Sequence, residues 1–324
     1  MRSIIYNKFG DPSEVLKIVE RDQPTPGPGE VRVRVLRAVI HNRDLGMIQG
    51  TYGDKPVFPV RAGAEGMGVI EARGPGVELA EGQRVAFFAA GAWSEYVVLN
   101  ARGAVPLPDS VSDDAGAQIL GVPISAMALL DSLPVTSGEW LVQNAANGTV
   151  GVNMVKFAEA KGVKVINLVR RAAGIAELHA LGIKHVVSTD QDGWKETVRS
   201  IVGEGRIAAA VDSVGGNAAD DLLDLLSQNG TIMIFGKMSG ESLVLDGTMV
   251  AAKNVTIKGF SGVATLGAKT PAEMGSLFGQ VLQLAATGGL HLAADGVFSF
   301  DEIGKAIEAG KKPGRAGKKI LFRP

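Results

Sequence analysis

Apolar and polar positions alternate with a period of two along Val31-Arg32-Val33-Arg34-Val35-Leu36, which is the pattern of a half-buried strand. Short apolar runs at Gly66-Met67-Gly68-Val69-Ile70 and Arg84-Val85-Ala86-Phe87-Phe88 predict two more strands, and the glycine- and proline-rich stretches 24–29 and 74–76 mark turns. The first third of the chain therefore reads as a compact β-rich domain. From about residue 117 the rhythm changes. Apolar or β-branched runs at 140–143, 164–169, 185–187, 208–211, 231–235 and 255–257 alternate with amphipathic stretches at 152–161, 173–181, 192–202 and 217–228. Repeated strand–helix units predict an α/β fold with a parallel, doubly wound sheet buried on both faces. Beyond it the pattern predicts a helix over 271–287, a strand at Val297-Phe298-Ser299-Phe300, a helix from Asp301 and a basic end over 311–319.

Composition narrows the function classes. The 324 residues suffice for about two domains, and 46% hydrophobic with 21% charged residues excludes a disordered chain. Lys plus Arg (33) nearly cancels Asp plus Glu (34), so no global field draws the protein to nucleic acid or to anionic lipid. The absence of cysteine removes disulfides, thiolate catalysis and every zinc site that needs sulfur. Neither a secretory signal nor an apolar span of transmembrane length is evident, so the expectation is a soluble, cytoplasmic protein.

A strand over 140–146 leads into Asn147-Gly148-Thr149-Val150-Gly151 and then a helix. Against G-x-G-x-x-G the chain offers Ala146-x-Gly148-x-x-Gly151, with the first glycine replaced. Taken alone, this pattern also fits a plain glycine turn that starts a helix. In strand–turn–helix context it marks a dinucleotide site: Gly148 lets backbone approach a pyrophosphate, Gly151 lets helix pack on strand, and the helix N-terminus supplies N–H groups. At the end of the next strand, where an NAD site places Asp or Glu, the chain carries Arg170-Arg171. A guanidinium pair suits a 2′-phosphate, so NADPH is the expected cofactor; the alternative is a solvated basic strand end.

Several stretches resemble the medium-chain dehydrogenase/reductase superfamily: Pro26-Gly27-Pro28-Gly29-Glu30-Val31, Gly63-Ala64-Glu65-Gly66, the unit over 140–151, and Gly317-Lys318-Lys319-Ile320-Leu321. Within it, Met47-Ile48-Gln49-Gly50-Thr51-Tyr52-Gly53, Leu120-Gly121-Val122, Val142-Gln143-Asn144-Ala145-Ala146-Asn147, Asn167-Leu168-Val169-Arg170 and Phe235-Gly236-Lys237-Met238 are similar to the NADPH-dependent 2-enoyl thioester reductases of mitochondrial type. Quinone oxidoreductases share less of this wording. The resemblance implies a GroES-like catalytic domain, 1–116 and 260–324, around a Rossmann domain, 117–259. It also implies a homodimer, and an enone, enoyl thioester or quinone as the small-molecule partner. Zinc-dependent relatives ligate their ion at positions that fall here on His41, Ala64 and Val122, two of which cannot coordinate; no metal is expected.

Site residues follow from the same resemblance. Tyr52 holds the family's catalytic tyrosine position, where a phenol donates to the oxyanion that develops on the acceptor carbonyl. Phe235, Gly236, Lys237 and Met238 cover the nicotinamide, Phe260, Ser261, Gly262 and Val263 line the far wall, and Lys318 approaches the cofactor; Lys237 and Lys318 also fit ordinary surface charges. His41 and Asp44 are candidates for substrate contact, although enoyl reductases have no histidine there, and Arg43 and Asp44 fit a simple ion pair. Glu65 is expected to be structural. Two departures stand out: Phe260-Ser261 replaces a Phe-Trp pair and Pro123 replaces an Asn, changes that reshape the acyl pocket and remove a cofactor contact.

Overall fold

The computed structural model describes residues 1–53, 56–312 and 315–324, so the basic stretch 311–319 is described except at 313 and 314. The strands are β1 (Arg2–Tyr6), β2 (Leu16–Glu20), β3 (Glu30–Val39), β4 (Val60–Arg61), β5 (Glu65–Arg73), β6 (Arg84–Phe88), β7 (Tyr96–Asn100) and β8 (Ala104–Pro106). They continue with β9 (Trp140–Gln143), β10 (Lys164–Val169), β11 (Val186–Ser188), β12 (Ile207–Asp212), β13 (Thr231–Ile234), β14 (Thr256–Gly259), β15 (Ala294–Ser299) and β16 (Lys319–Arg323). Contacts divide the chain into two compact units, Met1–Val122 with Phe278–Pro324, and Pro123–Leu277. The sequence reading places the junctions at 116 and 259; in the structure Leu120 and Gly121 are held by Glu65 of the first unit, and Phe260 bonds to Ile234 of the second.

In the first unit β3 is the organising strand. It pairs antiparallel with β5 along most of its length, with β7 at its start and with β16 at its end. Its inward residues Val31, Val33 and Val35 are buried while Arg34 faces solvent, as the period-two pattern predicts. A three-stranded sheet, β2-β1-β4, completes the unit and was not legible from the alternation. Trp93 locks the core: it is fully buried, donates its indole N–H to the Val39 carbonyl at 3.0 Å, and meets Phe322 edge-on at 5.1 Å.

The second unit is a six-stranded parallel sheet in the order β11-β10-β9-β12-β13-β14. This order reverses direction between β9 and β12, which creates the switch point of a dinucleotide-binding sheet. All six residues of β12 and all four of β9 are buried, as expected for strands covered on both faces. The predicted strand over 140–146 stops at Gln143. Ala145 turns to φ +47°, and the following helix starts at Thr149, earlier than the 152 read from periodicity.

Candidate functional site

In the second unit, residues expected to bind the cofactor gather along one edge of the sheet, because parallel strands all point their C-terminal ends the same way. Asn147 to Gly151 follow β9, Arg170 and Arg171 follow β10, Phe235 to Met238 follow β13, and Phe260 to Val263 follow β14. Gly148 is the N-cap of the helix Thr149–Ala160, and its side-chain-free position leaves the first-turn N–H groups open to an anion. A Cβ on Gly151 would sit 2.7 Å from the Ala146 carbonyl oxygen, so only glycine lets this helix approach the strand. Arg170 and Arg171 are exposed, and no ion pair engages either among the described residues.

The switch point has a polar floor that the sequence reading did not anticipate. Asn144 donates to Asp212 Oδ1 at 2.6 Å and accepts the Ser213 N–H at 2.7 Å. Asp212, fully buried, also accepts the N–H groups of Val214 and Gly215 at 3.0 and 3.1 Å. These bonds fix the turns after β9 and β12 to each other. Gln143 similarly ties Asn167 at 2.8 Å to the Gly151 carbonyl at 3.0 Å.

Phe235 and Phe260 pack with ring centroids 5.8 Å apart, while Lys237, Met238 and Val263 are exposed. Ser261 spends its hydroxyl on capping the helix Gly262–Gly267, accepting the Ala264 N–H at 3.3 Å. A cavity of about 350 Å³ lined by 189–196 follows β11. It carries Asp190, Asp192 and Glu196, and its one lysine, Lys195, is already paired with Asp221 at 2.7 Å and Asp224 at 3.3 Å, so acidic side chains dominate its lining.

The first unit brings His41, Asp44 and Glu65 together with a residue not singled out before, Lys319. His41 Nε2 lies 2.6 Å from Glu65 Oε2. Glu65 is fully buried, and its Oε1 accepts the N–H groups of Leu120 and Gly121 at 2.8 and 2.7 Å. A Cβ on Gly121 would come within 2.3 Å of Glu65 Oε2, so glycine is required there. Asp44 does not pair with Arg43 as the sequence suggested: it turns back to accept the His41 main-chain N–H at 2.9 Å and caps the helix Asn42–Gln49. Burial raises the Asp44 carboxyl above its ordinary range, against the opposing pull of His41.

Lys319 opens β16, whose Leu321 pairs with Val39 and whose Ile320 carbonyl accepts the Ile40 N–H, and its ammonium feels Asp44 and Glu65. Read in sequence as part of a basic end, it is 8% exposed. Burial pushes its ammonium down to about 8, and Arg315 adds to the depression. Lys318, the neighbour assigned to the cofactor, faces outward, 3.8 Å from Asp295. Tyr52 follows the helix Asn42–Gln49, is 54% exposed, and has no hydrogen-bond partner among the described residues. Arg43, on the same helix, lies with its guanidinium carbon 5.9 Å from the Tyr52 ring centre and 5.6 Å from that of Phe88.

Comparison with known proteins identifies the family. Residues 27–109 match the alcohol dehydrogenase GroES-like domain and 149–289 match the zinc-binding dehydrogenase domain. The mitochondrial enoyl-[acyl-carrier-protein] reductase of Arabidopsis thaliana is 30% identical over 99% of this chain and 88% of its own. The chain is a medium-chain dehydrogenase/reductase. Among solved structures, a mycobacterial protein complexed with NADPH is 26% identical with a TM-score of 0.85, and a mycobacterial quinone oxidoreductase is 27% identical with a TM-score of 0.83; each match covers both chains completely.

At the positions where the resemblance places zinc ligands, the side chains of Ala64 and Val122 offer no donor atom, and Nε2 of His41 is engaged by Glu65. The GroES-like and Rossmann parts expected from sequence are both present in the fold. Among the described residues no helix is long and apolar enough to cross a membrane.

Proposed function

We propose that the protein is an NADPH-dependent, zinc-free reductase of the C=C bond of α,β-unsaturated carbonyl compounds, with enoyl thioesters of CoA or acyl carrier protein as its acceptors. It is an oxidoreductase, as its enoyl reductase and quinone oxidoreductase relatives are. The observation that carries the reading is the sheet edge on which an open helix N-terminus at Gly148 and an unpaired arginine pair, Arg170-Arg171, stand one strand apart. Together they suit a pyrophosphate and a 2′-phosphate. The thioester preference draws on the likeness to enoyl-[acyl-carrier-protein] reductase; the likeness to a quinone oxidoreductase supports a quinone or 2-alkenal as the second reading.

When bound, the reduced dinucleotide supplies hydride. Arg170 and Arg171 would hold its 2′-phosphate, and the first-turn N–H groups of the helix Thr149–Ala160 would bind its pyrophosphate. Tyr52 donates its phenolic proton as a hydrogen bond to the acceptor oxygen, where negative charge accumulates as the double bond is reduced. No ion polarises that oxygen, so the phenol and its neighbours carry the electrostatic load. We also assign a homodimer, since β14, the outermost strand of the parallel sheet, leaves all four residues exposed for a second copy.

The test is an acceptor panel with NADPH and NADH in parallel, with and without a chelator. NADPH oxidation faster with crotonyl-CoA than with a small alkenal or quinone, and insensitive to the chelator, is expected. Equal rates across the panel overturn the thioester assignment, and loss of activity with chelator overturns the zinc-free one.

A further inference from the structure

Among the described residues the Arg43 guanidinium meets two aromatic rings and feels the field of Asp44, but no acceptor bonds to it. No hydrogen bond or ion pair engages it among the described residues, and its Nη1 is buried without an acceptor. Its nearest carboxylate in sequence, Asp44, is committed to the His41 N–H. Buried polar groups are almost always satisfied, because an unpaired one forfeits its hydration without return. A guanidinium in this state, flanked by aromatic faces, is prepared for a ligand oxyanion, since it stacks on rings while its fork of donors remains free.

The surroundings define the ligand further. Tyr52 and Phe88, the two rings beside Arg43, are 54% and 49% exposed. Two exposed rings around a guanidinium that has no acceptor among the described residues fit a molecule with an apolar body and an anionic group. We infer that Arg43 is a specificity residue: it receives an oxyanion, carboxylate or phosphate, carried by the acceptor on which Tyr52 acts. This inference rests on the reductase reading for its substrate, though the anion site stands on its own geometry.

The test compares acceptors that share an enone or enoyl group and differ in charge. For a carboxylate, trans-4-oxo-2-pentenoate is set against 3-penten-2-one; for a phosphate, crotonyl-CoA is set against crotonyl-N-acetylcysteamine. In the wild type the charged member of at least one pair is favoured in kcat/KM by about tenfold or more, and Arg43→Gln lowers that ratio by about 10- to 100-fold. Arg43→Lys restores part of it, because the charge persists without the fork. Because each ratio is read within one protein, a general loss of active enzyme cancels. A response in the first pair assigns the anion to the acceptor's own carboxylate, and a response in the second assigns it to the carrier phosphate.

A turnover-free arm separates this inference from the reductase reading. Calorimetric titration of the wild type with trans-4-oxo-2-pentenoate and with 4′-phosphopantetheine is expected to show binding of at least one, weakened about tenfold or more in Arg43→Gln. Such binding without NADPH-dependent turnover sinks the reductase and keeps the anion site. Turnover with charge ratios near one, ratios that Arg43→Gln leaves within about twofold, or no binding of either anion overturns the role of Arg43.

Discussion

Glu65 and His41 form a buried hydrogen-bonded pair, Oε2 to Nε2 at 2.6 Å, whose carboxylate is also anchored by two main-chain N–H groups through Oε1. One side chain thereby ties the strand β5, the start of the helix Asn42–Gln49 and the turn at Gly121 into a single rigid corner. Tyr52 hangs from the far end of that helix, so its position depends on this corner.

Glu65→Ala removes the acceptor from two N–H groups and from His41. A loss of about 2–4 kcal/mol in unfolding free energy follows from leaving buried donors unpaired. Glu65→Gln keeps one carbonyl oxygen for Leu120 and Gly121 and should cost about half as much. Urea titrations of both variants check the order; equal stability of Glu65→Ala and wild type would show that the corner relaxes without cost.

Tyr52→Phe deletes only the hydroxyl. A drop of about 10²-fold or more in kcat/KM for every acceptor is expected for a lost oxyanion donor. Steady-state kinetics decide it. A change of less than about twofold is far below the cost of such a donor and removes Tyr52 from the chemistry.

Arg170→Ala and Arg171→Ala each remove one charge-assisted bond to the 2′-phosphate. The Kd for NADPH should weaken by about 1–3 kcal/mol per arginine, with little effect on NADH. Fluorescence titration with both coenzymes reads the difference. A parallel weakening of NADH would mean that the pair holds some other part of the molecule.

The strands were legible where burial imposes a period. β3 alternates because one face meets the core, and the buried strands of the second unit read as apolar runs. The glycine turn was legible because Gly151 answers a local need, close approach to Ala146. By contrast, the floor made by Asn144 and Asp212 joins residues far apart in sequence, and so does the pairing of β16 on β3. Nothing local distinguishes Lys319 from Lys318; only the pairing of β16 on β3 turns one inward and the other toward Asp295. That the Arg43 Nη1 has no acceptor among the described residues is likewise a property of three-dimensional neighbours. Asp44 beside it suggested an ion pair, and capping geometry proved the stronger demand.

Lys319 makes the pH dependence of stability specific. Its ammonium is pushed down to about 8 in the folded protein from an ordinary value of 10.5. Between those two values the unfolded chain binds a proton that the folded chain does not, so the contribution of Lys319 to stability rises with pH across that window. Below about 8 the full penalty of holding a buried ammonium is present, on the order of 3 kcal/mol; above 10.5 it has vanished. Lys319→Met keeps the apolar stem and removes the charge. The difference in unfolding free energy between this variant and wild type should be largest near neutral pH, with the variant favoured, and should shrink steadily as pH climbs from 8 to 10.5. Should the difference stay flat, or should Lys319→Met be the less stable protein at pH 7, then Asp44 and Glu65 stabilise the ammonium more than burial disfavours it.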